Sequence, residues 1–252
     1  MKVENISQTA GHPLHYEVIN ANHDDNQKAA VADARRAIES SADFTCGGTP
    51  PVPDHDATER QRAERIEAEQ RRLIAWAKAH GKLGGRLPKD DVGGGEHIVR
   101  LDDKADRVFK ATQLGKQKGY GIALGSYTHG ATPSEYLDRL NLQNLIFNDD
   151  IRLERVVVKN GQPVIVTSQP AIKGTVPTQA AIDETMEAKG FEKLTPGAYY
   201  DAHHGLLLYD LFPKNAMQAA DGVIYPFDPV IQRIQADFAE FLRENPDRIH
   251  SR

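Results

Sequence analysis

The chain has 252 residues, of which 39% are hydrophobic and 27% charged, and this suits a globular protein with one full hydrophobic core. Its formal net charge of −5 argues against a nucleic-acid-binding surface. The sequence has neither an apolar run of about 18 residues nor an apolar N-terminal signal core, so we expect a cytoplasmic protein without a membrane span. The single cysteine, Cys46, cannot form an internal disulfide.

Two helices are predicted in the first third of the chain. Residues 26–40 have helical spacing of apolar positions, but most of these are alanine, so we expect this helix to dock weakly. A second helix begins at Thr58, where Gln61 follows three residues later as in a capping box, and ends near Gly81. Trp76 should anchor this helix on the part of the chain that follows.

From Gly93 onward, short strands and helices follow one another. The segments "EHIVRLDD" and "DRVFKAT" predict a hairpin, and "TPSEYLDRLNLQNLIF" predicts a helix. A second hairpin turns at Asn160-Gly161, a strong turn signal, and a further helix comes after it. The remaining predicted elements are short strands at 198–209 and 222–227 and a closing amphipathic helix, "PVIQRIQADFAEFLREN". Without alternating βαβ units, this order predicts an α+β fold and no Rossmann sheet.

The segment "LLLYDLFPKNAMQAADGVIYPFDPVI" places Asp210, Asn215 and Asp228 among apolar residues. An aspartate after one strand, an asparagine five residues later and an aspartate on the next strand can supply a catalytic base and two magnesium ligands. The same residue types also form turns, and "FPKN" and "AADG" would then be ordinary hairpin turns. Both interpretations fit the sequence.

Several segments of the rear part, taken with the order of elements, resemble the polyvalent-protein kinase family of phages and conjugative elements. They are "GGGEHIVRLDD", "RVFKAT", "ATPSEYLDRLNLQNLIFNDDIRLE", "VIVTSQPAIKG", "GF" at 190–191 and "YDLFPKNAMQAADGVIYPFDP", within roughly residues 70–231. The resemblance implies a compact, two-lobed protein-kinase-like fold that binds ATP and Mg²⁺ between a small β-rich lobe and a helical lobe. It further implies phosphotransfer to a protein substrate.

The resemblance also implies how the chain is divided. The expected parts are a helical or flexible extension over 1–56, a long helix with linker over 57–92, and a kinase-like domain over 93–252. Within this domain the β-rich lobe would span 93–169 and the helical lobe 170–252. Because only 24 residues follow Asp228, we expect the helical lobe to be reduced.

Lys110 is the lysine that the resemblance places against the α- and β-phosphates of ATP. A compact ammonium can contact phosphate oxygens without a fixed planar geometry, although Lys110 taken alone could equally be a surface lysine. Glu135, on the following helix, would pair with Lys110, and Asp138 is the alternative partner. Both acidic residues could instead be charges favoured by the helix dipole.

The remaining site residues also follow from the resemblance. Asp210 would accept the proton of the attacking hydroxyl, while Asn215 and Asp228 would bind magnesium. Ser168 and Gln169 would belong to the hinge between the lobes, where backbone groups meet adenine, and the same segment also fits a buried strand. The glycine run would let backbone N–H groups approach phosphate, or would be a flexible linker; it consists of Gly93, Gly94 and Gly95.

The chain departs from the kinase pattern next to both aspartates. Tyr209 precedes Asp210 where many kinases have arginine, and Pro229 follows Asp228 in place of Phe-Gly. Two functions therefore stay open. One is an active ATP-dependent protein kinase of bacterial or mobile-element origin that acts as a toxin or effector; the other is a pseudokinase-like module that binds nucleotide or protein without phosphotransfer.

Overall fold

A computed structural model of the protein describes residues 25–38, 55–88, 92–93, 96–102, 106–113, 120–124 and 130–250. Its helices are α1 (Asp25–Ile38), α2 (His55–Ala79), α3 (Pro133–Phe147), α4 (Gln179–Ala188), α5 (Ala236–Glu244) and α6 (Asp247–His250). Its strands are β1 (Val92–Gly93), β2 (His97–Asp102), β3 (Arg107–Thr112), β4 (Arg152–Lys159), β5 (Gln162–Pro170), β6 (Gly174–Thr175), β7 (Glu192–Thr195), β8 (Ala198–Asp201), β9 (Leu206–Tyr209), β10 (Ala216–Ala219), β11 (Ile224–Pro226) and β12 (Val230–Arg233). This mixture confirms the α+β class.

The largest sheet is antiparallel, with five strands in the order β1-β2-β3-β5-β4. Both predicted hairpins are present in it. Asn160 and Gly161 connect β4 to β5 with φ angles of 52° and 79°, and this left-handed pair matches the right-handed twist of the two strands. In β3, Lys110 is paired with Val99 on one side and Thr167 on the other, so these three side chains lie on one face.

Helix α3 begins with a complete capping box. The Thr132 side chain accepts a hydrogen bond from the backbone N–H of Glu135, and the Glu135 carboxylate accepts one from the backbone N–H of Thr132 at 2.8 Å. Pro133 occupies the first turn, where its missing N–H costs nothing. The start of the helix is thereby set by local sequence.

Helices α1 and α3 and the sheet share one hydrophobic core, and the expectation that α1 docks weakly is wrong. Val31, Ala34 and Ile38 of α1 are fully buried in the same apolar cluster as Leu137 of α3. Small alanine side chains let the helix approach closely, while Val31 and Ile38 fill the space between. Trp76 of α2 is also buried there, and its indole N–H donates to Asp33 of α1 at 2.9 Å.

The remaining described strands form two smaller antiparallel sheets, β12-β9-β8-β7 and β11-β10-β6. The predicted closing helix is wrong in its first part, where Val230 and Ile231 belong to β12. They pair with Tyr209 and Leu208 of β9, because β-branched residues can bury themselves on a strand that completes a sheet. The helix begins only at Ala236.

None of the helices in the described ranges combines the length and the apolar character that crossing a membrane requires. Cys46 lies outside the described residues.

Candidate functional site

The end of β3 and the turn before β12 meet at Lys110 and Asp228. The Lys110 ammonium lies 3.1 Å from Asp228 Oδ1 and also donates a hydrogen bond to the backbone carbonyl of Phe227. Lys110 is buried, whereas the Asp228 side chain retains 38% of its exposure. The pair therefore consists of a buried ammonium group and a partly exposed carboxylate.

Asn215 connects Asp210 to the segment that carries Asp228. Its side-chain N–H donates to the backbone carbonyl of Asp210 at 2.8 Å, and its backbone carbonyl accepts from the backbone N–H of Phe227 at 2.8 Å. Asp210 has a φ of 60°, a left-handed conformation that aspartate and asparagine tolerate better than most residues. Asn215 thus contacts the backbone of Asp210 and that of Phe227, the residue before Asp228.

Turn chemistry accounts for part of the same segment, as the sequence also allowed. Residues Pro213–Asn215 form a single turn of 3₁₀-helix. The β10–β11 hairpin turns at Asp221 and Gly222, where Asp221 accepts from the N–H of Val223 at 3.0 Å and Gly222 has a φ of 85°. These turns bring the end of β9 and the start of β12 together, so the two interpretations of the segment describe one arrangement.

Three basic side chains surround the Asp228 carboxylate. Besides Lys110, Arg139 lies 3.7 Å and the His97 ring 3.8 Å from Oδ1. Although burial alone would raise the pKa of Asp228, the charges of Lys110, His97 and Arg139 lower it to about 2. Asp228 is consequently ionised at neutral pH, as a magnesium ligand must be.

Sequence reasoning missed Glu96, His97 and Arg139. Arg139 donates to Glu96 Oε1 at 2.9 Å and to the backbone carbonyl of Asp228 at 3.1 Å. His97 Nε2 lies 2.9 Å from the hydroxyl of Tyr136. Arg139 itself could have indicated them in the sequence. A cation among the leucines of an apolar helix is buried only with hydrogen-bonded or oppositely charged partners.

Glu135 does not pair with Lys110 as the sequence suggested, because it is used at the N-terminus of α3. Besides closing the capping box, its carboxylate accepts from Arg62 of α2 at 2.6 Å. Asp138, the alternative, forms an ion pair with Arg35 of α1 at 3.0 Å. The α3 side chain that lies beside the Lys110–Asp228 pair is therefore the cation Arg139 and not a carboxylate.

The hinge and glycine residues have different placements. Ser168 lies on the opposite face of the large sheet from Lys110, where it donates to Glu154 and accepts from Arg107 at 2.9 Å. Gln169 is paired with Val108 and lies on the Lys110 face. Gly93 pairs with Ile98 in the hairpin of β1 and β2, while Gly94 and Gly95 lie outside the described residues; the phosphate-binding role of these glycines stays a prediction.

Two cation sites can be compared at this point. Ligand atoms of Glu96, His97 and Asp228 lie within 4.8 Å of one another, with Arg139 at 2.9 Å from the Glu96 carboxylate and Lys110 at 3.1 Å from the Asp228 carboxylate. Asn215 uses its N–H group on Asp210, so its amide oxygen is the atom that can bind a cation. Carboxylate and amide oxygens from Asp228 and Asn215 form the donor set that Mg²⁺ prefers.

Comparison with known proteins gives one positive result. Residues 66–235 match the sequence model of a family described as Serine/Threonine/Tyrosine Kinase found in polyvalent proteins. The match covers more than half of the chain and includes Lys110, Asp210, Asn215 and Asp228. The resemblance drawn from the sequence is thereby confirmed. No curated protein and no solved structure shows significant similarity to the chain.

Proposed function

The chain belongs to the Ser/Thr/Tyr kinases found in polyvalent proteins, and from this premise we propose that it is an ATP- and magnesium-dependent phosphotransferase with a two-lobed kinase-like architecture. Its substrate would be a hydroxyl group on a protein. A bacterial or mobile-element origin, and a role as a toxin or effector, belong to the same proposal.

The observation that carries this proposal is the contact of Lys110 with Asp228, in a segment that Asn215 ties to Asp210. A phosphotransferase needs a cation for phosphate, oxygen ligands for magnesium and a base for the hydroxyl within the reach of one nucleotide. Lys110 lies 118 positions before Asp228, whereas Asp210 and Asn215 belong to the same segment as Asp228.

In the proposed reaction, Lys110 exchanges its contact with Asp228 for the phosphates of ATP. Asn215 and Asp228 would hold magnesium, which would neutralise charge on the phosphate oxygens. Asp210 would accept the proton of the substrate hydroxyl while that oxygen bonds to the γ-phosphorus, and the bond from this phosphorus to the β–γ bridging oxygen would break with ADP as the leaving group. The apolar residues on the Lys110 face of the sheet offer a surface for the adenine ring; they are Val99, Leu101 and Val108.

A second candidate is a pseudokinase-like module that binds nucleotide or a partner protein without phosphotransfer. The observation that favours it is the mutual neutralisation of Lys110 and Asp228, which form an ion pair together with the nearby Arg139. Such a closed pair is stable without ATP. If both bind ATP, the two candidates differ in whether the bound ATP is consumed.

The deciding experiment compares the wild-type protein with Asp210→Asn in a transfer assay with labelled ATP, Mg²⁺ and a bacterial lysate. Asparagine keeps the shape and tolerates the left-handed φ of 60°, whereas alanine would add backbone strain. We expect transfer to fall by about 10²–10⁴-fold with ATP affinity unchanged. Asp221→Asn, in the exposed β10–β11 turn, is the matched control and should transfer like wild type.

Each other outcome has a defined meaning. Equal labelling by wild type and Asp210→Asn would show that Asp210 is not the base. Binding of ATP by the wild type without any labelling would replace the kinase by the pseudokinase candidate. Failure of the wild type to bind Mg-ATP in calorimetry would overturn the kinase and would leave only the partner-binding form of the second candidate.

A further inference from the structure

Arg139 is a buried cation on α3, a helix whose other buried residues are largely apolar. Its side chain retains only 4% of its exposure, and desolvating a guanidinium is costly unless its N–H groups are paired. The carboxylates of Glu96 and Asp228 outweigh the effect of burial and raise the pKa of Arg139 above its usual range. A cation retained at this cost indicates a role that an apolar residue cannot fill.

The first set of Arg139 contacts is with the backbone around Asp228. Nε donates to the carbonyl of Pro229 at 2.8 Å, and Nη2 donates to the carbonyl of Asp228 at 3.1 Å. These bonds fix the main chain that directly follows the Asp228 Cα atom, and they thereby restrict the direction of its side chain. A planar guanidinium can donate to two carbonyls at once, and an ammonium has no such fork.

The second set of contacts is with Glu96, directly after the glycine run. Arg139 Nη1 and Nη2 lie 2.9 and 3.4 Å from the two carboxylate oxygens, and the N–H of Ile122 donates to Oε1 at 3.0 Å. Gly121 has a φ of 103°, and a Cβ atom there would overlap the Glu96 carboxylate. These contacts fix the Glu96 carboxylate, and Glu96 in turn fixes the position of the Arg139 guanidinium.

We propose that Arg139 is the positioning residue that orients Asp228 for magnesium and couples it to Glu96 at the beginning of β2. The inference rests on the proposed ATP- and magnesium-dependent function. Arg139 acts through Asp228 and need not contact the nucleotide. Helix α3 thus sets the geometry of the metal site through Arg139. The carboxylate of Glu96, directly after the glycine run, balances the charge of this arginine.

The test is a magnesium titration of ATP binding for the wild type and Arg139→Lys. The ATP concentration is held fixed, and binding is measured by calorimetry. Lysine keeps the charge but cannot bridge two carbonyls and Glu96. The Mg²⁺ concentration for half-maximal binding should rise by about 10- to 100-fold, the usual effect of removing a group that orients a metal ligand. Arg100→Lys is the matched control, because Arg100 is exposed on the opposite face of β2, and its titration should be unchanged.

A merely structural role predicts a lower melting temperature with an unchanged magnesium midpoint, so both quantities are measured on each variant. Glu96→Gln provides a second variant that keeps Arg139, and it should shift the midpoint in the same direction. Because the two residues act as one unit, the double variant should shift the midpoint by less than the product of the single shifts.

The outcomes separate this inference from the proposed function. A folded Arg139→Lys protein with a midpoint within about twofold of wild type overturns the positioning role while leaving the function intact. If Arg139→Lys does not fold, an unchanged midpoint in Glu96→Gln has the same meaning. Absence of Mg-ATP binding by the wild type overturns the proposed function and this inference with it.

Discussion

Lys110 and Asp228 form an ion pair at 3.1 Å although 118 positions of sequence separate them. The pair joins β3 of the large sheet to the turn that enters β12. Its two members have opposite proposed partners, phosphate for Lys110 and magnesium for Asp228. Without nucleotide, the charges of these two side chains neutralise each other.

Lys110→Met should raise the pKa of Asp228 from its value of about 2, because the nearest cation is lost while His97 and Arg139 remain. The pKa of Asp228 in the folded protein lies below the ordinary 3.8, so its ionised form stabilises the fold above about pH 4, and this contribution is lost as the pH falls towards 2. Lys110→Met should lose part of this pH-dependent stabilisation.

Carboxylate carbon chemical shifts in an NMR pH titration measure this pKa directly. Lys159→Met, at the exposed end of β4, is the control and should leave the Asp228 titration unchanged. A titration of Asp228 near pH 2 in Lys110→Met as well would contradict the assigned electrostatic role of Lys110.

Asp228→Asn should weaken the binding of Mg-ATP by about tenfold or more. The amide keeps an oxygen but removes the charge, and the attraction between a partly buried carboxylate and a nearby cation amounts to several kcal/mol. Calorimetry with Mg²⁺ and with EDTA separates the metal effect from that on the nucleotide. With EDTA the loss should disappear; an equal loss of ATP affinity under both conditions would argue against a metal role.

Much of the fold could be predicted from local sequence. The capping box of Thr132 and Glu135 and the turn at Asn160-Gly161 depend on neighbouring residues alone, and the structure has both. The β12 strand was missed because its Val230 and Ile231 also fit a helical pattern. Only pairing with β9, which depends on the tertiary fold, selects the strand.

The site was predictable to a smaller extent. Spacing and resemblance pointed to Lys110 and Asp228, which the structure brings into contact. The sequence favoured Glu135 as the partner of Lys110, because an acidic residue early in a helix fits both a cap and an ion pair, but Glu135 caps α3 and pairs with Arg62. Arg139 and Glu96 are 43 positions apart, and their contact follows from the packing of α3 against the sheet, which no local pattern encodes.

Ile38→Ala should destabilise the protein by about 2–4 kcal/mol, because Ile38 is fully buried where α1 contacts the core and its loss leaves a cavity. Urea unfolding followed by circular dichroism measures the difference. Arg36→Ala, on the exposed face of the same helix, should change the unfolding free energy by no more than about 0.5 kcal/mol. Equal effects of the two substitutions would mean that α1 is not part of the cooperative unit.

The last prediction concerns His97, which is buried between charges of both signs. Burial lowers the pKa of His97, and Lys110 and Arg139 act in the same direction, while Asp228 and Glu96 oppose them. The folded protein therefore binds this proton less readily than the unfolded chain, in which the pKa is about 6.5.

The unfolding free energy should consequently fall as the pH decreases below about 6.5, since the unfolded state then gains a proton that folded His97 does not accept. In the metal-free protein, the imidazole NMR signals of His97 should titrate below pH 6.5, whereas those of the exposed His203 serve as an internal comparison in the same spectra. His97→Asn should flatten the stability profile between about pH 6.5 and 5 and leave the remaining profile similar. Titration of His97 at or above pH 6.5 would show that the carboxylates of Asp228 and Glu96 outweigh burial, and the slope of the stability profile would then have the opposite sign.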